Sequence, residues 1–331
     1  MNRLREAWRR AVTAELCWTN PDGSAAAIAV TPVLRGSDPA SATVCAALPY
    51  ARAGEVEGLR AAPAAVFAVT DSRSLPDDTE SGTRVSGPGG AASGIAAAGG
   101  VRIVDDVDGE LFTEELLDQE LVKYPPSRTL ADSVLLRREN WWWLPRIVVE
   151  LTGPLPAAGH PGEKPLPART DPTRHALLVT TAPGGAESQR VPELPTIPDL
   201  RSAPELRSAP ELRSAPELRS VDLGADSAQS GAAASDVMGV RELAGEPLPA
   251  ASAGALAFGY DYTMPDLERW EAWSLAGTVE RERLAVETRT GSPGEDLTTL
   301  GLLARTRRHR ALAKACRTGL RAAQRRLQPA P

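Results

Sequence analysis

The sequence is poor in the residues that build metal sites and disulfide frameworks, with three cysteines and three histidines in 331 residues. Cys17, Cys45 and Cys316 are far apart and form no Cys-x-x-Cys pair, which argues against disulfides and against a zinc site. No histidine stands at metal-ligand spacing from a cysteine or from another histidine. We therefore expect no bound metal and a reducing compartment.

Long apolar runs are also missing from the chain. No run approaches the ~18 residues that a membrane-spanning helix needs, and residues 2–16 mix Arg and Glu where a signal peptide would carry its apolar segment. These absences predict a cytoplasmic protein with no membrane partner. The motifs G-x-S-x-G, G-x-x-x-x-G-K-[ST] and G-x-G-x-x-G do not occur. Two classes remain: an enzyme whose chemistry belongs to an organic cofactor, and a binding or structural module.

The composition predicts a folded chain with a large irregular fraction. Hydrophobic residues make up 42% of the sequence, which is enough for globular cores. The 28 glycines and 29 prolines exceed the usual share, so part of the length must be turns and linkers. The length favours two domains, and the formal net charge is −6.

Short apolar segments separated by turn residues predict a mainly β fold with flanking helices (α+β). The clearest case is a hairpin of residues 16–19 and 25–34 around Asn20-Pro21-Asp22-Gly23. Further strands are predicted at 43–48, 65–70, 101–107 and 146–151, with helices at 3–14, 53–61 and 113–121. Residues 71–100 are predicted to be a mobile loop, and the Trp141–Trp143 run to lie on a strand. Consecutive strands with short turns favour an antiparallel meander that closes into a small barrel.

The element order of residues 3–70, together with residues 111–128 and 141–146, resembles the pyridoxamine 5'-phosphate oxidase-like proteins. The resemblance covers about the first 155 residues. It implies an FMN-binding split β-barrel at residues 1–155. The function that it implies is a flavin (FMN) or deazaflavin (F420) dependent oxidoreductase of unknown substrate.

The same resemblance implies the position of a cofactor site, with FMN as the expected cofactor and F420 or haem as alternatives. Thr31, Pro32 and Val33 would contact the ring, and Pro49, Tyr50 and Arg52 would lie on the phosphate side. Arg52 as a plain surface residue is an equal alternative. No catalytic residue is identified. The alternative function is a catalytically inactive barrel that binds a small ligand or a partner protein.

The C-terminal half contains a possible second copy of this plan. Residues 156–195 form a connection and a second hairpin, and residues 253–331 form an α+β region with a strand at 255–260 and a helix at 266–273. Between them, residues 196–252 carry Leu-Arg-Ser-Ala-Pro-Glu repeats and are predicted to be an insertion without fixed structure. A real duplication would make an intramolecular pseudo-dimer, and otherwise a homodimer through the first barrel is expected.

The last 35 residues have no acidic side chain, and their apolar residues recur at spacings of three and four. This pattern predicts a basic amphipathic helix. We expect it to dock on the protein's own acidic surface, and we do not expect nucleic acid as a partner. Lys123 and Arg128 flank a Pro-Pro turn, and we interpret them as a solvated pair, with a lip over an anionic ligand as the alternative.

Overall fold

Strands from the first half of the chain form one eight-stranded antiparallel sheet in the computed structural model of the protein. The structure describes residues 2–38, 40–75, 93–131, 140–154, 162–181, 215–224, 236–248, 250–252, 254–294 and 297–328. The strands of this sheet are β1 (Ala14–Thr19), β2 (Ala25–Val30), β3 (Pro32–Arg35), β4 (Thr43–Pro49), β5 (Ala64–Val69), β6 (Ser93–Asp106), β7 (Arg146–Pro154) and β8 (Glu163–Pro167). Their order is β2-β1-β5-β6-β7-β4-β3, and β8 pairs with β6.

The second half of the chain forms a closed six-stranded antiparallel barrel. Its strands are β9 (His175–Thr181), β10 (Glu217–Leu223), β11 (Asp236–Glu242), β12 (Gly254–Tyr262), β13 (Trp270–Glu280) and β14 (Arg283–Thr290). They close in the order β10-β11-β14-β13-β12-β9. The prediction of a mainly β fold with flanking helices is thereby confirmed.

Helices cover the first sheet on both of its faces. In the described residues the α-helices are α1 (Asn2–Arg10), α2 (Leu117–Lys123), α3 (Pro126–Ala131) and α4 (Leu302–Leu327), and a π-helical turn (Phe112–Leu116) precedes α2. The same residues include three short 3₁₀ helices: Tyr50–Val56, here the Tyr50 helix, Gly58–Ala61, and Trp141–Trp143, here the tryptophan turn. The predicted basic amphipathic helix at the C-terminal end is confirmed as α4.

Period-two alternation explains how the two β units pack together. On β1, Leu16 and Trp18 point into the core of the first sheet, whereas Cys17 points to the opposite face. On β12, Ala255 and Ala257 fill the interior of the second barrel, whereas the even-numbered residues from Leu256 to Tyr262 face outward. The outward face of the barrel packs on the outer face of β1, β2 and β5. One apolar cluster therefore joins the two halves of the chain.

Three sequence predictions of secondary structure are wrong in the described residues. The predicted mobile loop 71–100 ends early, because β6 begins at Ser93 and pairs with both β5 and β8. The predicted helix 266–273 overlaps β13, in which Trp273, Leu275 and Val279 are buried at alternate positions, the period of a strand. The tryptophan run forms a 3₁₀ turn, so its indoles do not alternate across a sheet.

The segment 196–252 also differs from its prediction as an insertion without fixed structure, because it contains β10 and β11. The last repeat copy supplies the first part of β10, which pairs with β9 and β11. Leu218 is buried against the first sheet, and Val221 lies in the interior of the barrel. Strand pairing and burial of these side chains outweigh the low-complexity composition. The earlier repeat copies, up to residue 214, lie outside the described residues.

Candidate functional site

The two segments that the resemblance assigns to a cofactor lie close together in the structure. Arg52 reaches back across the sheet edge and donates from Nη1 to the carbonyl oxygen of Ala29 at 2.9 Å. Its Nε and Nη2 donate to the Glu55 carboxylate at 2.9 and 2.6 Å. Arg52 is therefore charge-balanced by a neighbour within its own 3₁₀ helix. Thr31 and Pro49 are partly exposed at the same edge.

Backbone oxygens at the predicted ring positions already accept hydrogen bonds from the protein. The Pro32 carbonyl accepts from Lys123 Nζ at 2.7 Å. The Val33 carbonyl accepts from Trp8 Nε1 at 3.1 Å and from the thiol of Cys45 at 3.4 Å. Pro32 and Val33 are buried beneath these contacts.

Tyr50 is buried and covered by the C-terminal helix. Its hydroxyl donates to Asp105 at 3.1 Å, and Asp105 also binds the Arg60 guanidinium at 2.7 Å. Burial and the Asp105 charge raise the pKa of the Tyr50 phenol. Gly319 of α4 lies against the Tyr50 backbone so closely that a Cβ at position 319 would overlap the Tyr50 carbonyl oxygen.

These contacts decide whether the six predicted residues fit the implied cofactors. A phosphate of FMN or F420 would meet the Glu55 carboxylate at Arg52, which disfavours a second negative group there. The one potential iron ligand of haem among the six, the Tyr50 hydroxyl, is buried and donates to Asp105. As arranged in this chain, the residues do not fit any of these cofactors, and no step is derived through one.

Near the predicted cofactor residues, Lys123 is a buried lysine with a strongly lowered pKa. The prediction of a solvated pair with Arg128 is wrong for Lys123, which is buried and donates to the carbonyl oxygens of Trp8 and Pro32 at 2.8 and 2.7 Å. Burial, assisted by the charge of Arg9, lowers the pKa of Lys123 to about 7. Arg128 donates to the Leu121 carbonyl oxygen at 2.6 Å at the surface. The buried ammonium joins α1, α2 and β3 rather than facing a ligand.

A cavity of about 300 Å³ lies between α4 and the tryptophan turn, and its charged side chains are all basic. Arg310, Lys314 and Arg317 stand on one face of α4, because their spacings of four and three residues bring them into one row. None of the three forms an ion pair or a side-chain hydrogen bond with another residue in the part of the chain that the structure describes. We name this space, lined by Asn140, Trp142, His309, Arg310, Ala313, Lys314 and Arg317, the cationic cavity.

Two further features of the cationic cavity matter for binding. Asn140 is 3% exposed, and its side-chain Nδ2 has no hydrogen-bond acceptor among the described residues. Trp142 is buried in the wall with its ring edge-on to His309, at a centroid distance of 5.5 Å. A buried amide nitrogen without an acceptor is costly, so a ligand that accepts a hydrogen bond there would be stabilised.

A second cavity of about 400 Å³ beside the β1–β2 turn offers less to a ligand. Its polar side chains bind one another: Trp18 Nε1 donates to Asn20 Oδ1 at 2.8 Å, and Asn20 Nδ2 donates to Ser24 at 3.0 Å. Glu55 in its wall is held by Arg52. The groups in this cavity are thus already satisfied by their neighbours.

Sequence reasoning did not find the cationic cavity as a site. The basic residues of α4 are visible in the sequence. Asn140 and Trp142 precede them by more than 160 residues, and nothing in the sequence indicates that they lie beside α4. Within the described residues no group of three or more His, Cys, Asp and Glu side chains could hold a metal ion. No helix in the described part of the chain is long and apolar enough to cross a membrane.

Comparison with known proteins identifies no family for this chain. No family model matches the sequence, and no curated protein matches it. Among solved structures, the chain is similar to HutZ, the heme storage protein from Vibrio cholerae, with 11% identity and a TM-score of 0.30 over 49% of this chain and 91% of that chain. It is also similar to the conserved hypothetical protein Rv2991 from Mycobacterium tuberculosis, with 14% identity and a TM-score of 0.28 over 46% and 78%. These values are too low to assign the chain to the family of either structure.

Proposed function

We propose that this protein binds a small phosphate-bearing molecule in the cationic cavity and does so without catalysis. The observation that carries the proposal is the row of Arg310, Lys314 and Arg317 on a cavity wall with no acidic partner among the described residues. Cations that lack a counter-charge favour an anionic ligand, because each gains an attraction that the protein does not supply. This function agrees with the ligand-binding form of the alternative raised by the sequence, a catalytically inactive barrel that binds a small ligand or a partner protein.

The basic, amide and aromatic side chains of the lining would contribute to such binding in different ways. The guanidinium groups of Arg310 and Arg317 can each donate two hydrogen bonds to the oxygens of a phosphate. The Lys314 ammonium adds a positive charge between them. The Asn140 amide would donate the hydrogen bond that it does not make within the described residues. Trp142 and His309 give the cavity an aromatic wall. A volume of about 300 Å³ is at the small end of ligand pockets, which favours a compact ligand.

A flavin- or deazaflavin-dependent oxidoreductase is the competing function, and it has less support. It rests on the resemblance of residues 1–155, and Glu55 balances the one cation that it assigns to the phosphate. The two functions differ in which residues control binding, so one set of variants separates them.

The test is isothermal titration calorimetry of the full chain with inorganic pyrophosphate, and in parallel with FMN. We expect pyrophosphate to bind and Lys314→Gln to weaken it at least tenfold, because that variant removes a charge from the cavity wall. Arg325→Gln removes one charge from α4 outside the cavity and should change the dissociation constant less than twofold. Absence of pyrophosphate binding, or equal effects of both variants, would overturn the proposal. FMN binding that is lost in Arg52→Glu and kept in Lys314→Gln would establish the flavin site instead.

A further inference from the structure

Beyond the cationic cavity, α4 presents a longer line of positive charge to solvent. Arg307, Arg310, Lys314, Arg317 and Arg321, here the cationic row, are separated by three or four residues and therefore share one helix face. All five side chains are exposed. With a rise of 1.5 Å per residue, the row extends for about 21 Å. No acidic residue occurs between Leu297 and Pro331 to interrupt it.

The ion pairs of α4 lie at its two ends and leave this row unused. Arg305 near the first turn binds Glu268, with Nη2 at 2.7 Å from Oε2. Arg326 in the last turn binds Glu57 at 3.1 Å. Docking on the protein's own acidic residues therefore accounts for the ends of the helix, and the five cations between them make no ion pair with any other described residue.

The opposite face of α4 is already used for packing. Ala313, Cys316, Leu320 and Ala323 are buried, and they pack among residues of the first sheet, the Tyr50 helix and the tryptophan turn. A helix that binds a membrane surface must place its apolar face in the lipid. Because the protein occupies that face of α4 and the cationic row faces solvent, the arrangement favours a water-soluble polyanion over a membrane surface.

The tryptophan turn, whose residue Trp142 lines the cationic cavity, also carries an exposed aromatic side chain. Trp141 is 54% exposed, which is unusual for a tryptophan, and its chain neighbours Asn140 and Trp142 both line the cavity with Arg310, Lys314 and Arg317. Exposed aromatic rings combined with a track of cations are what proteins use to hold single-stranded nucleic acids. Cations follow the phosphates and the ring stacks on a base.

We propose that the cationic row and Trp141 bind a single-stranded nucleic acid without sequence preference. The phosphates lie along α4, and one base stacks on the Trp141 indole. The inference rests partly on the proposed function, because Arg310, Lys314 and Arg317 serve both. Arg307, Arg321 and Trp141 belong to the nucleic-acid surface alone.

The test is fluorescence anisotropy of the full chain with a labelled twelve-nucleotide oligothymidine at 50 to 300 mM KCl. We expect binding that weakens with salt, since each neutralised phosphate contributes a slope of about −0.7 in log K against log salt. The double variant Arg307→Gln with Arg321→Gln should reduce affinity about tenfold and reduce the slope by about 1.4. Arg281→Gln with Arg283→Gln, which removes equal charge from the β13–β14 turn, is the control and should have little effect.

Trp141→Ala separates a stacking surface from simple charge attraction. It should weaken oligothymidine binding about tenfold at every salt concentration and leave pyrophosphate binding unchanged. Pyrophosphate binding without oligothymidine binding at 50 mM KCl would overturn this inference and leave the proposed function standing. The inference would also be overturned if Trp141→Ala left oligothymidine binding unchanged and the Arg307 and Arg321 double variant weakened it no more than the Arg281 and Arg283 control does. If neither probe binds, both proposals fail.

Discussion

Arg169 donates from Nη2 to Glu15 Oε1 at 2.6 Å in a place where both side chains are shielded from solvent. Glu15 belongs to β1 of the first sheet, and the hydroxyl of Tyr260, on β12 of the second barrel, donates to the same oxygen at 2.7 Å. Thr70 adds donors from its backbone N–H and its hydroxyl. The buried Glu15 carboxylate therefore links the first sheet to the second barrel, beside the apolar cluster that the two units share.

Removal of Arg169 should be strongly destabilising. Arg169→Met leaves the Glu15 carboxylate buried without its counter-ion, and breaking a buried ion pair in this way costs about 3–5 kcal/mol. Urea unfolding followed by circular dichroism measures the loss. Arg174→Met removes an exposed partner of Asp222 and should cost less than about 1 kcal/mol. An equal loss of unfolding free energy in the two variants would show that the Arg169–Glu15 ion pair does not stabilise the contact between the two β units.

Lys123 should make stability depend on pH in a defined window. Its pKa is about 7 in the folded protein and near 10.5 when unfolded, so between these values the unfolded chain holds the proton and the folded chain does not. The free energy of unfolding therefore gains from this group as pH rises from about 7 to 10.5, with a slope of up to about 1.4 kcal/mol per pH unit.

The variant Lys123→Met lacks this contribution. The difference in unfolding free energy between the original chain and the variant should grow in favour of the original chain from pH 7 to pH 9.5. Subtracting the variant removes the titration of the tyrosines and cysteines, which both proteins share. A difference that stays constant over this range would contradict a lowered pKa for Lys123.

Gly319 should tolerate no side chain. A Cβ at this position overlaps the backbone of Tyr50, so Gly319→Ala must lift α4 from the Tyr50 helix or shift that helix. We expect a loss of about 1–3 kcal/mol, the usual cost of overpacking. Gly54→Ala is the matched control, because a Cβ at Gly54 meets no atom within 4 Å. Thermal unfolding of both variants checks the prediction.

The cysteines provide a local readout of the same contact. Cys17, Cys45 and Cys316 are free and buried, and burial raises the pKa of all three thiols. The native protein should therefore react slowly with a thiol reagent at all three positions. In Gly319→Ala, Cys316 should become reactive first, because it is on the buried face of α4, the helix that the added methyl group displaces. Peptide mass spectrometry after labelling measures this. Simultaneous labelling of all three thiols would indicate global unfolding instead.

Local sequence patterns are enough to predict the β1–β2 hairpin and α4. The Asn20–Gly23 turn between two apolar runs predicts the β1–β2 hairpin. The spacing of four and three residues along Leu312, Cys316, Leu320 and Ala323 predicts α4. The glycine- and alanine-rich start of β6 carries no strand signal of its own. It is a strand because β5 and β8 pair with it on either side. The same holds for β10, which is a strand because β9 and β11 pair with it on either side.

The candidate site was less predictable than the fold, for a related reason. Arg52 was assigned to a ligand from likeness alone, but the sequence also places Glu55 three residues later, and that carboxylate satisfies it. The cationic cavity needs α4 to lie beside Asn140 and Trp142, a contact set by tertiary packing. The sequence shows only that the basic residues of α4 have no acidic residue near them in the chain. That pattern does not indicate a cavity.

The core of the first sheet contains residues from both α1 and α4, with Leu4 and Trp8 at one end of the chain and Leu320 and Ala323 at the other. During synthesis, the ribosome must therefore pass residue 323 before this core can be completed. The strands of the second barrel, which end at Thr290, emerge earlier. The core of the first sheet is therefore incomplete until α4 has been made, and a chain that stops at residue 155 would leave part of this apolar core open to chaperones and proteases.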